Sequence, residues 1–269
     1  ELWVFLPNHV QMLKRFGESV SIYYCVDEHT LFSGVDTDRM QKLELQLLKS
    51  VDLVVVTAKP LYDSKIADSK SILYLPHGVD VEHFSLAVSG QLEKPSDLGS
   101  ISGKCIGFFG LIEDWIDLEL VLYCAEKLPD CTFIMIGRNN VSIDKYKLLK
   151  NIKFLGPKKF ETLPSYCRYF DCAIMPFKIN DMTLNVNPLK MREYLAAGVQ
   201  VVSTALPEAK NHGSYVKIAN TYDEFVLHIK EILQENVSRA LISESVKGDS
   251  WAARYRVLRE KINSLSHTG

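Results

Sequence analysis

The stretch Asn187-Pro188-Leu189-Lys190-Met191-Arg192-Glu193-Tyr194-Leu195-Ala196-Ala197-Gly198 carries a lysine and a glutamate three positions apart. The apolar run Val199-Gln200-Val201-Val202-Ser203-Thr204 follows it directly. The pattern reads as a loop, a helix, a glycine stop and a buried strand. Asn187 suits a helix N-cap, and Pro188 suits the first helical position, where its missing N–H costs nothing. Gly198 suits the helix end. A helix N-terminus at the mouth of a parallel sheet offers free N–H groups and a partial positive charge to an anion. Lys190 adds a full charge in that first turn. Glu193 falls roughly 7–8 Å down the axis from Pro188, at 1.5 Å per residue. That is the reach from a diphosphate to the ribose diol behind it, so the segment can be a nucleotide-diphosphate grip. It can equally be an ordinary α/β crossover whose polar residues face water.

The surrounding chain supplies the elements that such a grip needs. Apolar runs alternate with helical patterns, the signature of βαβ units and a parallel sheet. Strands are expected at Val20 to Val26, Leu53 to Val56 and Ser71 to Leu75, with helices from Arg39 to Leu48 and then to about Ala67. Pro76-His77-Gly78-Val79-Asp80 closes this first set. A second set has strands at Lys104 to Gly110, Cys131 to Gly137, Asn151 to Gly156, Asp171 to Pro176 and Tyr215 to Ala219. Its helices are expected at Asp117 to Leu128, Leu163 to Phe170 and Tyr222 to Leu233. The fold class is therefore α/β, with two doubly wound parallel-sheet domains, the first incomplete. The expected boundaries are 1–84 for the first domain, 85–100 for a linker, 101–236 for the second domain and 237–269 for a helical tail packing back toward the first. The chain opens Glu1-Leu2-Trp3-Val4 without an initiator Met or signal-peptide pattern and reads as starting mid-domain, an N-terminally truncated fragment. Ligands of such sheets sit outside the carboxyl ends of the strands. Gly110, Gly137, Gly156, Pro176 and the Asn187 helix start all fall on that rim.

Bulk properties narrow the function. Among 269 residues, 47% are hydrophobic and the formal charge is -2, which fits a globular protein with a real core and argues against a nucleic-acid partner. Six scattered cysteines, with no C-x-x-C pair, read as reduced core thiols of a cytosolic protein. No apolar run approaches the roughly 20 residues of a membrane span.

Taken in order, Pro76-His77-Gly78-Val79-Asp80, the Gly107-to-Gly110 turn, Leu155-Gly156, Leu163-Pro164, Asp171 with Met175-Pro176-Phe177, and Pro188 to Ser203 resemble the group 1 (family 4-like) glycosyltransferases of GT-B architecture. Trp115 with Asp117, and Pro-Leu-Lys-x-x-Glu-Tyr-Leu-Ala-Ala-Gly, resemble a bacterial exopolysaccharide-type subgroup. The resemblance implies two Rossmann-like domains facing each other across a cleft, the second holding the nucleotide sugar and the first most of the acceptor site. It implies sugar transfer from a nucleotide-diphosphate sugar to a polysaccharide, glycolipid or similar lipid-linked acceptor, without metal and with retained anomeric configuration. The sugar nucleotide is a co-substrate, and no cofactor is implied. The implied setting is the bacterial cytoplasm, or the inner face of the membrane for a peripheral contact.

By the same resemblance, Glu193 holds the ribose hydroxyls, and Asn187, Leu189 and Lys190 form the diphosphate turn. The family's Glu-x7-Glu pattern puts its first carboxylate at Asn185, so here an amide faces the donor sugar, with Thr183 a weaker candidate. The bases that the family often carries after the glycine turn at Gly110 are missing from Leu111 to Asp117. Lys190 or Arg138 must then supply the charge. Asp27, at a strand end, is the candidate for orienting an acceptor hydroxyl, against a loop or N-cap role. Trp115 stacks on a sugar or belongs to the core. His77-Gly78 is a structural turn or lines the cleft. Lys158 and Lys159 form a solvated pair or touch an anionic acceptor or membrane. Two other functions compete: a non-catalytic nucleotide-sugar-binding partner subunit, and a GT-B sugar-nucleotide epimerase.

Overall fold

The computed structural model describes residues 1–32, 34–89, 92–99, 101 and 103–266. Two compact units divide it. One comprises residues 1–78, 180–187 and 251–269, and the other residues 79–179 and 188–250.

The first unit is built on four parallel strands, β1 (Leu2–Val4), β2 (Ser21–Cys25), β3 (Leu53–Val56) and β4 (Ile72–Tyr74), in sequential order. Successive side chains of a strand face opposite ways, so each strand feeds two cores. Tyr23, Cys25, Val54 and Val56 face α1 (Thr37–Ser50) and α2 (Lys59–Lys65), against Leu47, Leu48 and Leu61. Ile22, Leu53 and Val55 face the other way, against Leu258 and Ile262 of α10 (Trp251–Ser266), so the C-terminal helix completes this unit. Leu2–Val4 is too short to stand out in the sequence, and it joins the sheet by pairing with Ser21 to Tyr23.

Beneath α1 and α2 lies a buried charge network. The Lys65 ammonium donates to Glu28 at 2.8 Å and to Glu44 at 2.9 Å, and the Tyr23 hydroxyl donates to Glu44 at 2.7 Å. Desolvation works against the Glu28 carboxylate, but the bonds from Lys65 and Thr30 hold it below the usual range.

The second unit holds six parallel strands in the order β10-β9-β8-β5-β6-β7. They are β5 (Lys104–Phe109), β6 (Cys131–Ile136), β7 (Ile152–Gly156), β8 (Cys172–Met175), β9 (Val201–Thr204) and β10 (Val216–Ala219). The chain enters at the centre, runs outward through β6 and β7, and returns to β8 on the other side of β5. Strand order therefore reverses between β5 and β8, and a crevice opens outside their carboxyl ends. Helices α4 (Leu118–Lys127), α5 (Leu163–Cys167), α7 (Leu189–Ala196), α8 (Tyr222–Gln234) and α9 (Arg239–Glu244) complete the layers. Gly107 lies in the middle of β5 because a Cβ there would meet the Phe170 ring at 2.1 Å.

The segment 85–100, expected to be a linker, starts inside a helix. α3 (Val81–Ser89) buries Phe84 and Ala87 in the second unit's core, and its weak polar spacing hid it. Residues 180–187, with the short α6 (Asp181–Leu184), group with the first unit although they lie between β8 and α7 in sequence. The tail divides likewise, α9 with the second unit and α10 with the first. All six cysteines are buried and free. Among the described residues, no helix is long and apolar enough to cross a membrane.

Removing Lys65 leaves the buried Glu44 and the half-buried Glu28 without their cation, a loss of about 3–5 kcal/mol by analogy with other broken buried pairs. Lys65→Ala should lower the urea midpoint of the first unit's unfolding accordingly; an unchanged midpoint would show that the network carries no stability.

Candidate functional site

The rim outside β5, β6 and α7 brings together four of the residues singled out by spacing. Gly110, directly after β5, has φ +142, and Gly137, directly after β6, has φ +147, backbone values that a side chain rarely tolerates. The space is also closed. A Cβ on Gly137 would meet the Gly110 carbonyl oxygen at 1.7 Å, and a Cβ on Gly110 would meet Lys190 Cε at 1.8 Å. The missing side chain at Gly110 is thus the channel through which Lys190 lies. Arg138 follows Gly137 and is exposed, with its carbonyl accepting from Ile112 N–H at 3.0 Å. Next to it, Asn139 Oδ1 is buried without a donor among the described residues.

α7 begins one residue later than expected. Pro188 is the N-cap, with φ -75 and ψ 104, and no side chain caps the helix. Asn187 therefore lies outside the cap position; it is buried, at 5% exposure, and grouped with the first unit. The fixed ring of Pro188 supports an extended cap conformation as well as a first helical turn. The consequence is that the N–H groups of Leu189 and Lys190 open the helix without an internal acceptor. At the other end, Gly198 N–H bonds to Leu195 O at 2.8 Å and Val199 N–H to Tyr194 O at 2.9 Å, closing the helix with Gly198 at φ +72.

Lys190 and Glu193 sit one turn apart on this helix. Glu193 is 8% exposed. Burial pushes its carboxyl up to about 7, against the pull of the Lys190 charge. Burial likewise lowers the Lys190 ammonium, with Glu193 opposing. Neither side chain has an ion-pair partner within 4.0 Å among the described residues, so the two desolvated groups attract each other without closing into a direct pair.

The sequence spacing did not single out the residues that hold α7 in place. Tyr194, fully buried, accepts from Phe109 N–H at 2.8 Å and packs edge-on against the Phe109 ring at 4.6 Å. It ties α7 to the last residue of β5. Arg192, on another face, pairs with Asp249 at 3.3 Å, and Ser243 donates to the Ala196 carbonyl at 2.6 Å. A tyrosine directly after the glutamate was the available signal. It reads as core from periodicity alone.

The remaining candidates lie elsewhere. Leu189 packs against the second unit's core, and so does Trp115, whose carbonyl accepts from Lys178 N–H at 2.8 Å. Asn185 groups with the first unit, where its amide donates to the Asp181 carbonyl at 2.7 Å. Thr183, also there, closes a capping box with Asn180. Asp27, half-buried at the carboxyl end of β2 in the first unit, has its carboxyl pushed up by burial, with His29 opposing. His29 is 4% exposed, and both ring nitrogens lack partners among the described residues. Lys158 is occupied by Asp97 at 2.8 Å. His77 packs against Trp251 within the first unit, where Gly78 leaves the room that this tryptophan needs.

Residues 103–235 match the sequence profile described as glycosyl transferases group 1. The matched stretch is just under half of the chain and lies mostly within the second unit. A curated relative, the putative teichuronic acid biosynthesis glycosyltransferase TuaH of Bacillus subtilis (strain 168), is 28% identical over 222 residues, covering 77% of this chain. The chain spans 55% of that relative's length. Solved structures share the GT-B fold. A sucrose-phosphate synthase from Thermosynechococcus elongatus matches at a TM-score of 0.76 and 14% identity, over 99% of this chain and 74% of that one. HepE of Anabaena, solved in complex with UDP and glucose, matches at 0.70 and 15% identity, over 91% of this chain and 72% of that one. A trehalose-phosphate synthase (UDP-forming) from Burkholderia vietnamiensis matches at 0.71 and 13% identity, over 99% and 72%. The GT-B fold is thus established, with the smaller four-stranded sheet preceding the six-stranded one.

The raised Glu193 carboxyl has a stability consequence. It holds its proton more tightly folded than unfolded, where a glutamate titrates near about 4.3. The cost of burying it as an anion is absent at low pH, grows as pH rises and is complete above about 7. Glu193→Gln should therefore stabilise the ligand-free protein at pH 8, by on the order of 2–3 kcal/mol, and leave it unchanged near pH 4.5. Thermal melts at the two pH values check this, and equal shifts at both would contradict it.

Proposed function

We propose that this chain is the donor-binding part of a glycosyltransferase that moves a sugar from a nucleotide-diphosphate sugar to a glycan or lipid-linked acceptor of a bacterial surface polymer. The observation that carries this reading is the uncompensated Lys190–Glu193 couple on α7 at the point where strand order reverses. A diphosphate would receive the Leu189 and Lys190 N–H groups, the positive end of the helix and the Lys190 ammonium. Arg138 adds an exposed cation on the same rim. One turn further along, Glu193 would accept from the two ribose hydroxyls. Each charge would then gain the partner that it lacks.

The same groups suit the chemistry. Breaking the bond from the anomeric carbon to the diphosphate oxygen leaves negative charge on the departing diphosphate. Donors and a cation already held in place lower that barrier without reorganising. Asp27 remains the candidate for orienting an acceptor hydroxyl. Its burial makes its carboxyl a better proton acceptor than an exposed aspartate. Teichuronic acid biosynthesis, the role in the name of the Bacillus relative, is the kind of surface-polymer synthesis in which such an enzyme would act. The resemblance implies metal-independent transfer with retention, at the inner face of the membrane.

UDP-glucose and GDP-mannose serve as probes, since neither titrates between pH 6 and 8. One of them should bind by calorimetry. Its Kd should tighten about five- to tenfold from pH 6 to pH 8, as Glu193 ionises. Glu193→Gln should remove that pH dependence, and Lys190→Met should weaken binding at least tenfold. Unchanged affinity in both variants would overturn the site. A full-length protein that binds the donor but never turns over with any acceptor would instead be a binding partner subunit.

A further inference from the structure

A cavity of about 330 Å³ lies on the other arm of the second unit's rim, outside β8, β9 and β10. It is near the lower end of the range of about 300–1,000 Å³ typical of small-molecule sites. Its position follows from the topology. Thr204 ends β9, Ala219 ends β10, and Phe177 follows β8, whereas Gly110 follows β5 on the far side of β8. With neighbouring strands about 4.8 Å apart, the cavity stands roughly 5–15 Å from the Gly110 turn along the same rim.

The lining is of two kinds. Ile179 and the Tyr222 ring give exposed apolar walls, over a floor to which the buried Phe177, Phe225 and Leu120 contribute. Thr204, Asn220 and Thr221 add hydroxyl and amide groups to the lining. The Thr221 hydroxyl accepts from Glu224 N–H at 3.2 Å, and the Asn220 amide donates to Glu224 at 3.3 Å, which leaves the Thr221 O–H and the Asn220 carbonyl oxygen to offer. Asp117 is the one ionisable carboxylate, and it is already engaged: it accepts from Leu120 N–H at 3.0 Å and from the Tyr222 hydroxyl at 2.8 Å. That bond holds the Tyr222 ring, 39% exposed, as a fixed wall. Among the described residues, no lysine, arginine or histidine lines the cavity. A phosphate or a nucleotide diphosphate would find no cation there. A ligand with apolar faces and neutral hydroxyls around its edge fits both halves of the lining, and a pyranose ring is that ligand.

We propose that this cavity is a neutral-sugar subsite that holds a ring of the glycan acceptor, separate from the grip on the donor nucleotide. The assignment rests on the glycosyltransferase reading above and adds where part of the acceptor is bound. Tyr222 and Ile179 would pack on the ring, and Asn220, Thr221 and Thr204 would meet its hydroxyls.

Saturation-transfer-difference NMR on the full chain tests it, with maltose and N,N′-diacetylchitobiose as probes and UDP and GDP present in saturating amounts. At least one disaccharide should receive saturation in its ring protons, with the nucleotides bound. Tyr222→Ala and Ile179→Ser should each cut the signal at least fivefold; Ile179 is 48% exposed, so the second change tests the wall without burdening the fold. Leu227→Ser, on the exposed face of α8, controls for non-specific effects and should leave the signal intact. No transfer to either disaccharide, transfer abolished by the nucleotides, or full signal in both cavity variants would overturn the subsite. Nucleotide binding is read in the same samples. Nucleotides that bind without any disaccharide signal overturn the subsite alone, whereas disaccharide signal with no nucleotide bound overturns the donor reading and leaves the subsite standing.

Discussion

Lys190 and Glu193 bear opposite charges, one turn apart, on a helix whose residues from Met191 to Ala196 are all buried. Each charge has lost much of its water, and their mutual attraction returns only part of that loss. A protein selected for stability alone would replace the pair with apolar residues or close it into a direct bond. Here Glu193 stays buried and Lys190 half-buried, without a direct bond between them. Gly110 gives up its side chain so that Lys190 can pass, and Gly137 gives up its own so that the Gly110 turn can form. The arrangement makes physical sense when a ligand with a charged end and a hydroxyl-bearing end completes it.

That demand explains the effort spent on α7. The helix is short and no side chain caps its N-terminus, so its own first turn is weak. Rigidity comes from outside. Tyr194 fixes it to the end of β5, Arg192 to Asp249, and Ala196 to Ser243. A site whose donors must sit still while charge develops depends on such supports more than on the donors themselves.

Much of this was legible in the residues. The alternation of apolar runs placed nearly every strand of the second sheet, because buried parallel strands read as continuous apolar segments. The helix between Pro188 and Gly198 and its glycine stop were equally plain, since proline and glycine carry backbone constraints that no context changes. The start of that helix was off by one residue, because Asn187 and Pro188 are both plausible caps and the deciding contacts are tertiary. α3 was hidden among serines and charges, and packing of Phe84 made it a helix. The grouping of residues 180–187 with the first unit has no local signal at all. Nor does the role of Tyr194, whose partner stands 85 positions earlier. Residues 103–235 match the group 1 glycosyl transferases, and the distant solved structures share the fold of the chain.

The most direct measurement is a crystal structure of this chain with a bound nucleotide-diphosphate sugar. The account predicts the diphosphate over the first turn of α7, within hydrogen-bond reach of the Leu189 and Lys190 N–H groups and the Lys190 ammonium, with the ribose hydroxyls on Glu193. A nucleotide bound elsewhere, with Lys190 and Glu193 closed on each other in an ion pair, would contradict it.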